Sequence, residues 1–427
     1  LVFAQAPQPG RFDGPGTPAL DAWIAIGADG HVTAYTGKVE LGHGLYTSQT
    51  QLVAEELCVP LARVKLIQGD TSVSPDQGTT SGSQSHPVNF NEGGLAQACA
   101  TAREALLQMA SQRMGVPASL LRVDDGIITG AGRGSLTYAE LIGGKKFNLT
   151  LNPNAKRKPA SEWKILGQPV KRLDIPALVT GQFEFVHNVR VPGMLHGRVV
   201  RPPEVGATLV GVDEGSISRM PGFVKVVVKK NFVGVVAEKP WQAAQMAIAL
   251  KAQWTKGAGL PAQSGFYDDL RSQTSSRDAL TVNSKDVDDK LATAAKAGKV
   301  IKATYRHAYQ MHGSIGTSCA VADVQGGKAT IWSPTQSVYP TRNTAAMLLE
   351  MKPEDVHVIF TMGAGCYGLN GADTVSYDAA LMSQAIGRPV RVQLTRKDEM
   401  AWENYGTSYV IDQRVGVDAS GTIIAWD

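Results

Sequence analysis

Val39-Glu40-Leu41-Gly42-His43-Gly44-Leu45-Tyr46-Thr47-Ser48-Gln49 reads as a strand that turns on two glycines into a helix. Glycine lets a backbone approach a ligand closely, and a helix N-terminus presents N–H groups to an anion. Gly42, His43, Gly44 and Thr47 are therefore candidate cofactor-binding residues, although a purely structural turn has the same form. Just upstream, residues 23–36 alternate in polarity around Ala28-Asp29-Gly30-His31, the pattern of a hairpin with a tight Asp-Gly turn. Downstream, Leu52, Val53, Glu56 and Leu57 recur at helical spacing, with Thr47 as the expected cap and Val59-Pro60 as the stop. A longer helix is expected over 92–114, where Leu95, Cys99, Ala102, Leu106 and Met109 form one stripe ended by Gly115 and Pro117.

Two further loops have related chemistry. In 78–86, seven of nine residues are Gly, Ser or Thr, which supply hydroxyl and backbone donors for phosphate or pterin edges. Ser81, Gly82, Ser83, Gln84 and Ser85 are the candidates there. The third loop, with Gly363, Ala364, Gly365, Cys366, Tyr367 and Gly368, lies between an expected strand over 356–361 and an expected helix over 373–386. It matches G-x-G-x-x-G, but a dinucleotide site needs an acidic residue about 20 positions on, at the end of the next strand. Here the strand 390–394 is followed only by Lys397-Asp398-Glu399, so a nicotinamide-dinucleotide dehydrogenase is a distant alternative. Gln310 and His312, in a polar glycine-containing segment, and Tyr367 are candidates for the substrate side.

The chain has 427 residues, 43% hydrophobic and 19% charged, enough for two or three domains. Its 42 basic and 38 acidic residues are mixed along the sequence, which argues against nucleic-acid binding. No apolar run approaches the roughly 20 residues that cross a bilayer. Cys58, Cys99, Cys319 and Cys366 lack CxxC spacing, so they assemble neither a zinc site nor an iron–sulfur cluster. No metal-ligand set and no catalytic side chain is assigned. The opening Leu1-Val2-Phe3-Ala4-Gln5-Ala6 looks like the tail of an export signal, giving a periplasmic or exported expectation. Strands are also expected over 224–229, 300–305 and 329–332, with helices over 241–254 and 340–349. Hairpins are expected at 123–128 and 417–423.

Together, these loops resemble the molybdenum-cofactor subunit of the xanthine dehydrogenase and aldehyde oxidase family. Gly42-His43-Gly44-Leu45-Tyr46-Thr47 is similar to its G-Q-G-x-x-T segment, and Ser81 to Ser85 to its Ser-rich cofactor loop. Residues 165–254, with Arg172-Leu173-Asp174 and the run 192–201, resemble its α/β-hammerhead domain. Trp332-Ser333-Pro334-Thr335-Gln336 and the loop 363–368 resemble its first cofactor-binding domain. The order of the blocks is similar to the isoquinoline 1-oxidoreductase and nicotinate dehydrogenase branch. His43 stands where the family has Gln, and Ala364, Cys366 and Tyr367 depart from its G-G-G-F-G loop.

The resemblance implies an α+β, mixed α/β fold. Residues 1–160 would be part of the second cofactor-binding domain, 161–265 the hammerhead and 266–427 the first cofactor-binding domain. It implies a molybdenum-pterin cofactor, molybdopterin cytosine dinucleotide, and hydroxylation of an N-heteroaromatic or oxidation of an aldehyde with oxygen from water. The implied partners are a small subunit with two [2Fe-2S] clusters, a c-type cytochrome beyond it, and, unless this sequence is a fragment, a second chain carrying the C-terminal half with the family's catalytic glutamate. A membrane association through such a partner is part of that expectation. Glu40 is the nearest carboxylate by position, but it reads as structural. A non-catalytic cofactor-binding or assembly subunit is the alternative of another class.

Overall fold

The computed structural model describes residues 17–82, 85–91, 93–130, 132–368 and 372–427. The chain divides into two compact units, one built from 1–201, 212–252 and 313–403 and the other from 202–211, 253–312 and 404–427. The expected export segment, Ser83, Gln84 and Glu92 lie outside the described residues.

In the first unit, strands Ile24–Ile26 and Val32–Thr36 form the expected hairpin, with Ile24 opposite Ala34. The Asp29 Oδ1 accepts the His31 N–H at 3.0 Å, and Gly30 takes φ +78°, the conformation that suits an Asp-Gly turn. Helix α1 (Leu45–Leu57) then crosses to the strand Val64–Gln68, which runs parallel to Val32–Thr36. Its start differs from the expectation. Gly44, at φ +85°, is the N-cap, while the Thr47 hydroxyl accepts the Leu173 N–H at 2.9 Å. Helix α2 (Leu95–Met114) packs on α1 and ends at Gly115 with φ +65°. Leu52, Leu57, Leu95, Leu106, Trp23 and Ile128 meet in the resulting core.

The second core surrounds a seven-stranded mixed sheet. Its spatial order is Val356–Phe360, Lys328–Ser333, Cys319–Gln325, Val390–Gln393, Leu195–Val199, Phe232–Ala237 and Phe223–Lys229. The helix Ala372–Ile386 lies on one face, where Val375, Ala379 and Met382 are buried. Periodicity missed Cys319–Gln325 because it is a central strand buried on both faces, without alternation. The helix expected to run to 254 stops at Ala249. Leu250 is extended, and Lys251–Trp254 alternates exposed and half-buried residues as a strand.

Gly69 joins the two halves of this unit. Its N–H donates to the Thr36 carbonyl at 2.8 Å, and its own carbonyl accepts the Phe360 N–H at 2.7 Å. It has φ +60°, and a Cβ there would lie 2.5 Å from Val39 Cγ1 and 2.8 Å from Phe360 Cβ. Left-handed strain and overpacking act together at this position. Gly69→Ala is expected to cost about 3 kcal/mol in urea unfolding. A cost below about 1 kcal/mol would show that the two halves yield at the junction.

The second unit is a three-stranded antiparallel sheet, Lys299–His307, Tyr409–Val417 and Ile423–Trp426. The helix Val287–Ala297 covers one face, with Ala294 and Leu291 packed where Gly416 leaves room. Arg271 pairs with Asp412 at 2.8 Å, and Thr304 donates to the same carboxylate at 2.6 Å.

Candidate functional site

The loop at Gly42 is organised by the residue two positions before it. Glu40, its side chain 6% exposed, turns its carboxylate back over the start of α1. Oε1 accepts the N–H groups of Gly42 at 2.6 Å and Gly44 at 3.0 Å, and Oε2 accepts that of Tyr46 at 2.8 Å. Burial alone would raise the pKa of this carboxyl, but His43 and the three amides hold it down at about 2. Sequence spacing offered these amides to an outside anion, and in the folded chain Glu40 takes them. What the loop turns outward is the His43 imidazole, 27% exposed, beside open space at Gly42, where a Cβ would meet nothing within 4 Å.

A second segment straps the loop. The Arg172 Nη1 donates to the Gly42 carbonyl at 2.9 Å, while Nε and Nη2 hold the Asp174 carboxylate at 3.0 and 2.5 Å. The Asp174 partnership raises the Arg172 pKa against the opposing effect of burial.

The Ser-rich loop lies beside the same turn. Lys38 is buried, and its Nζ donates to the Thr79 carbonyl at 2.8 Å; the Val39 N–H donates to Thr80 Oγ1 at 3.0 Å. Thr80 exchanges two hydrogen bonds with Gln336: its N–H to the Gln336 carbonyl at 2.8 Å, and Gln336 Nε2 to its carbonyl at 2.9 Å. Ser337 donates to the Thr79 hydroxyl at 2.8 Å. Ser81 and Ser85 close a local turn, with the Ser81 N–H donating to Ser85 Oγ at 2.7 Å. Gly82 has open space where a Cβ would stand.

The third loop reaches the same hub from the other side. The Thr361 N–H donates to the Ser333 carbonyl at 2.9 Å, and a Cβ on Gly363 would touch Pro334 at 3.0 Å. Gly365 and Gly368 take φ +134° and +133°, Cys366 is buried, and Tyr367 is 63% exposed at φ +56°. Ala364 packs against Gly316, whose Cβ would overlap its methyl at 2.5 Å. The strand before this loop and the strand Val390–Gln393 are separated by two others, one of which, Cys319–Gln325, runs antiparallel to both its neighbours. A dinucleotide-binding βαβ unit needs parallel neighbours at this turn, so the G-x-G-x-x-G match lacks its context.

Thus the stems of the second and third loops meet at Ser333–Ser337, and the stem of the first is tied to them through Thr79 and Thr80. Lys38, which carries no motif, and Gln336, which closes the Trp332-Ser333-Pro334-Thr335-Gln336 segment, lock them; neither was among the site candidates. A cleft of about 410 Å³ opens beside the first loop, lined by Glu40, Tyr46, Gln68, Phe183, Phe360 and Met362 among others. Gln310 and His312 belong to the second unit, where the Gln310 N–H donates to the Gly406 carbonyl at 3.3 Å and His312 Nδ1 lies 3.1 Å from the Asn404 carbonyl. Tyr367 belongs to the first unit. Among the described residues, no three His, Cys, Asp or Glu side chains gather as metal ligands, and no helix is long and apolar enough to cross a membrane.

Open space at Gly42 and Gly82, with φ +105° at Gly42, fits the close approach of a flat, phosphate-bearing cofactor. The three amides held by Glu40 would not serve it as donors. Two family profiles, both described as molybdopterin cofactor-binding domain, match residues 5–164 and 271–427. A nicotinate dehydrogenase subunit of Pseudomonas putida KT2440 is 40% identical over 417 residues, covering 96% of this chain and 35% of that protein. A membrane-bound aldehyde dehydrogenase [pyrroloquinoline-quinone] of Gluconacetobacter polyoxogenes is 27% identical, covering 97% of this chain and 55% of that one. The beta chain of isoquinoline 1-oxidoreductase of Brevundimonas diminuta is 25% identical, covering 94% and 58%. The chain therefore spans between about a third and three-fifths of the length of these relatives.

Proposed function

Because this chain belongs to the xanthine dehydrogenase family of molybdopterin-binding subunits, we propose that it is the cofactor-cradling part of a molybdenum hydroxylase acting on an N-heteroaromatic or an aldehyde. The observation that carries this reading is the linkage of three loop stems, the second and third at Ser333–Ser337 and the first through Thr79 and Thr80. The cofactor, when bound, supplies the two-electron redox and oxygen-transfer chemistry. This chain's residues supply position: Gly42 and Gly82 give clearance, Gly44 starts the helix at a left-handed φ, His43 offers a hydrogen-bonding ring, and the loop 363–368 presents Tyr367. Glu40, held ionised by three amides, is committed to the loop and is not the base that would take a proton from water. The molybdopterin cytosine dinucleotide form is part of the proposal, supported by the family resemblance of the loops.

The proposed redox partner is a small subunit with two [2Fe-2S] clusters, with a c-type cytochrome beyond it. It is supported by the family resemblance, with which the scattered spacing of Cys58, Cys99, Cys319 and Cys366 agrees. Periplasmic location is likewise a proposal, resting on Leu1 to Ala6.

Molybdenum and pterin content of the chain purified together with its neighbouring subunits is the test. Stoichiometric molybdenum is expected, and its absence would overturn the reading. Gly44→Val places a β-branched residue at φ +85°, where such residues are outliers. That variant should fold but lose most of its molybdenum; full retention would remove the first loop from the cradle.

A further inference from the structure

On the sheet face opposite the helix Ala372–Ile386, the two parallel strands Leu195–Val199 and Val390–Gln393 bring unlike residues together. Their register sets His196 beside Arg391, and alternation adds Arg198 and Gln393 to the same face. The intervening Leu195, Gly197, Val390 and Val392 face the core on the other side. Arg190 approaches from the preceding segment. Each guanidinium is fixed at one nitrogen by a main-chain carbonyl: Arg190 by His187 at 2.9 Å and Val189 at 2.8 Å, Arg391 by His187 at 2.9 Å, and Arg198 by Gln393.

Among the described residues no carboxylate forms an ion pair with Arg190, Arg198 or Arg391; Asp398 acts on Arg198 only at longer range, and its Oδ2 is held by Thr395. Cys319, opposite Gln393, is a neutral thiol pushed up to about 12 by burial. Arg198 Nε and His196 Nδ1 are shut off from solvent with no hydrogen-bond partner among the described residues. A buried polar atom left without a partner destabilises the fold, and adjacent like charges add to that. Burial first, then Arg391, Arg190 and Arg198, push the His196 pKa down to about 4.

We propose that this cluster is a binding site for a phosphate group, separate from the cleft beside Glu40 and independent of the hydroxylase reading. Three guanidiniums overmatch a single carboxylate but suit a dianion, and guanidinium forks match the oxygens of a tetrahedral phosphate. The site would take free phosphate or the phosphate of a larger molecule.

Calorimetric titration of the full chain with inorganic phosphate, against chloride at equal ionic strength, tests it. Saturable phosphate binding is expected. Arg190 is exposed, so Arg190→Gln should fold normally yet bind phosphate about tenfold more weakly. Arg391→Gln should bind more weakly still, and Arg271→Gln, in the other unit, should bind as the unsubstituted chain does. Phosphate should also raise the His196 pKa, read from its ring-proton NMR shift. Tighter binding of cytidine monophosphate would assign the phosphate to a larger molecule, and equal binding to the free ion, provided both weaken in Arg190→Gln. No binding beyond chloride, or Arg190→Gln binding undiminished, would overturn the proposal.

Discussion

Glu55→Ala is expected to cost about 3–5 kcal/mol, at least as much as Gly69→Ala. Glu55 lies on the buried side of α1, with its side chain 1% exposed. One oxygen holds the Lys158 ammonium, and the other accepts the N–H groups of Lys164 at 2.8 Å, Ile165 at 2.6 Å and Leu166 at 3.1 Å. Removing the carboxylate strands a part-buried ammonium and three amides at once. Burial raises the Glu55 pKa, but Lys158 and the amides outweigh it and leave it below the usual carboxylate range. A depressed folded-state value means that this stabilisation is complete above the unfolded pKa and fades as pH falls below it. Urea unfolding at neutral pH is the measurement. A loss under about 1 kcal/mol would mean that residues 158–166 do not depend on this anchor.

The second large effect is expected at Glu40. Its pKa of about 2 against an ordinary 4.5 corresponds to about 3 kcal/mol held above pH 4.5 and lost as pH falls toward 2. Glu40→Gln removes the charge while keeping the shape, so the part of the acid loss that Glu40 contributes should vanish and the fall in stability become shallower. An unchanged acid limb in that variant would contradict the assigned contacts. Glu40→Ala should go further, releasing the turn at Gly42 and lowering molybdenum content together with stability. The two readouts separate a positioning role from a general loss of fold: Glu55→Ala should lower stability at least as much while leaving the Gly42 loop and its molybdenum intact.

These two carboxylates use one device. Each sits on or beside α1, each gathers three main-chain amides, and each fixes a segment that has no regular structure of its own. Neither was legible as such. Glu56 carried a signal, since it recurs with Leu52 and Leu57, but Glu55 reads as one more helix residue, and its partners lie more than 100 positions away. Glu40 was the nearest base candidate by position and read as structural, but the amides it gathers were not legible.

The sequence by itself determined the local events. Asp29-Gly30 made a hairpin because a left-handed turn suits glycine, and the stripe from Leu95 to Met109 made α2 because one face had to be buried. The glycine, serine and threonine loops, and their order along the chain, were enough to indicate the family. Tertiary structure alone decided which donors remain to a ligand. Whether the amides of Gly42, Gly44 and Tyr46 face outward depends on where the Glu40 carboxylate turns and on Arg172, 130 positions away. It also decided that His196, Arg198 and Arg391 share one face, because that juxtaposition is a matter of strand register, which pairs residues nearly 200 positions apart and leaves no trace in local spacing.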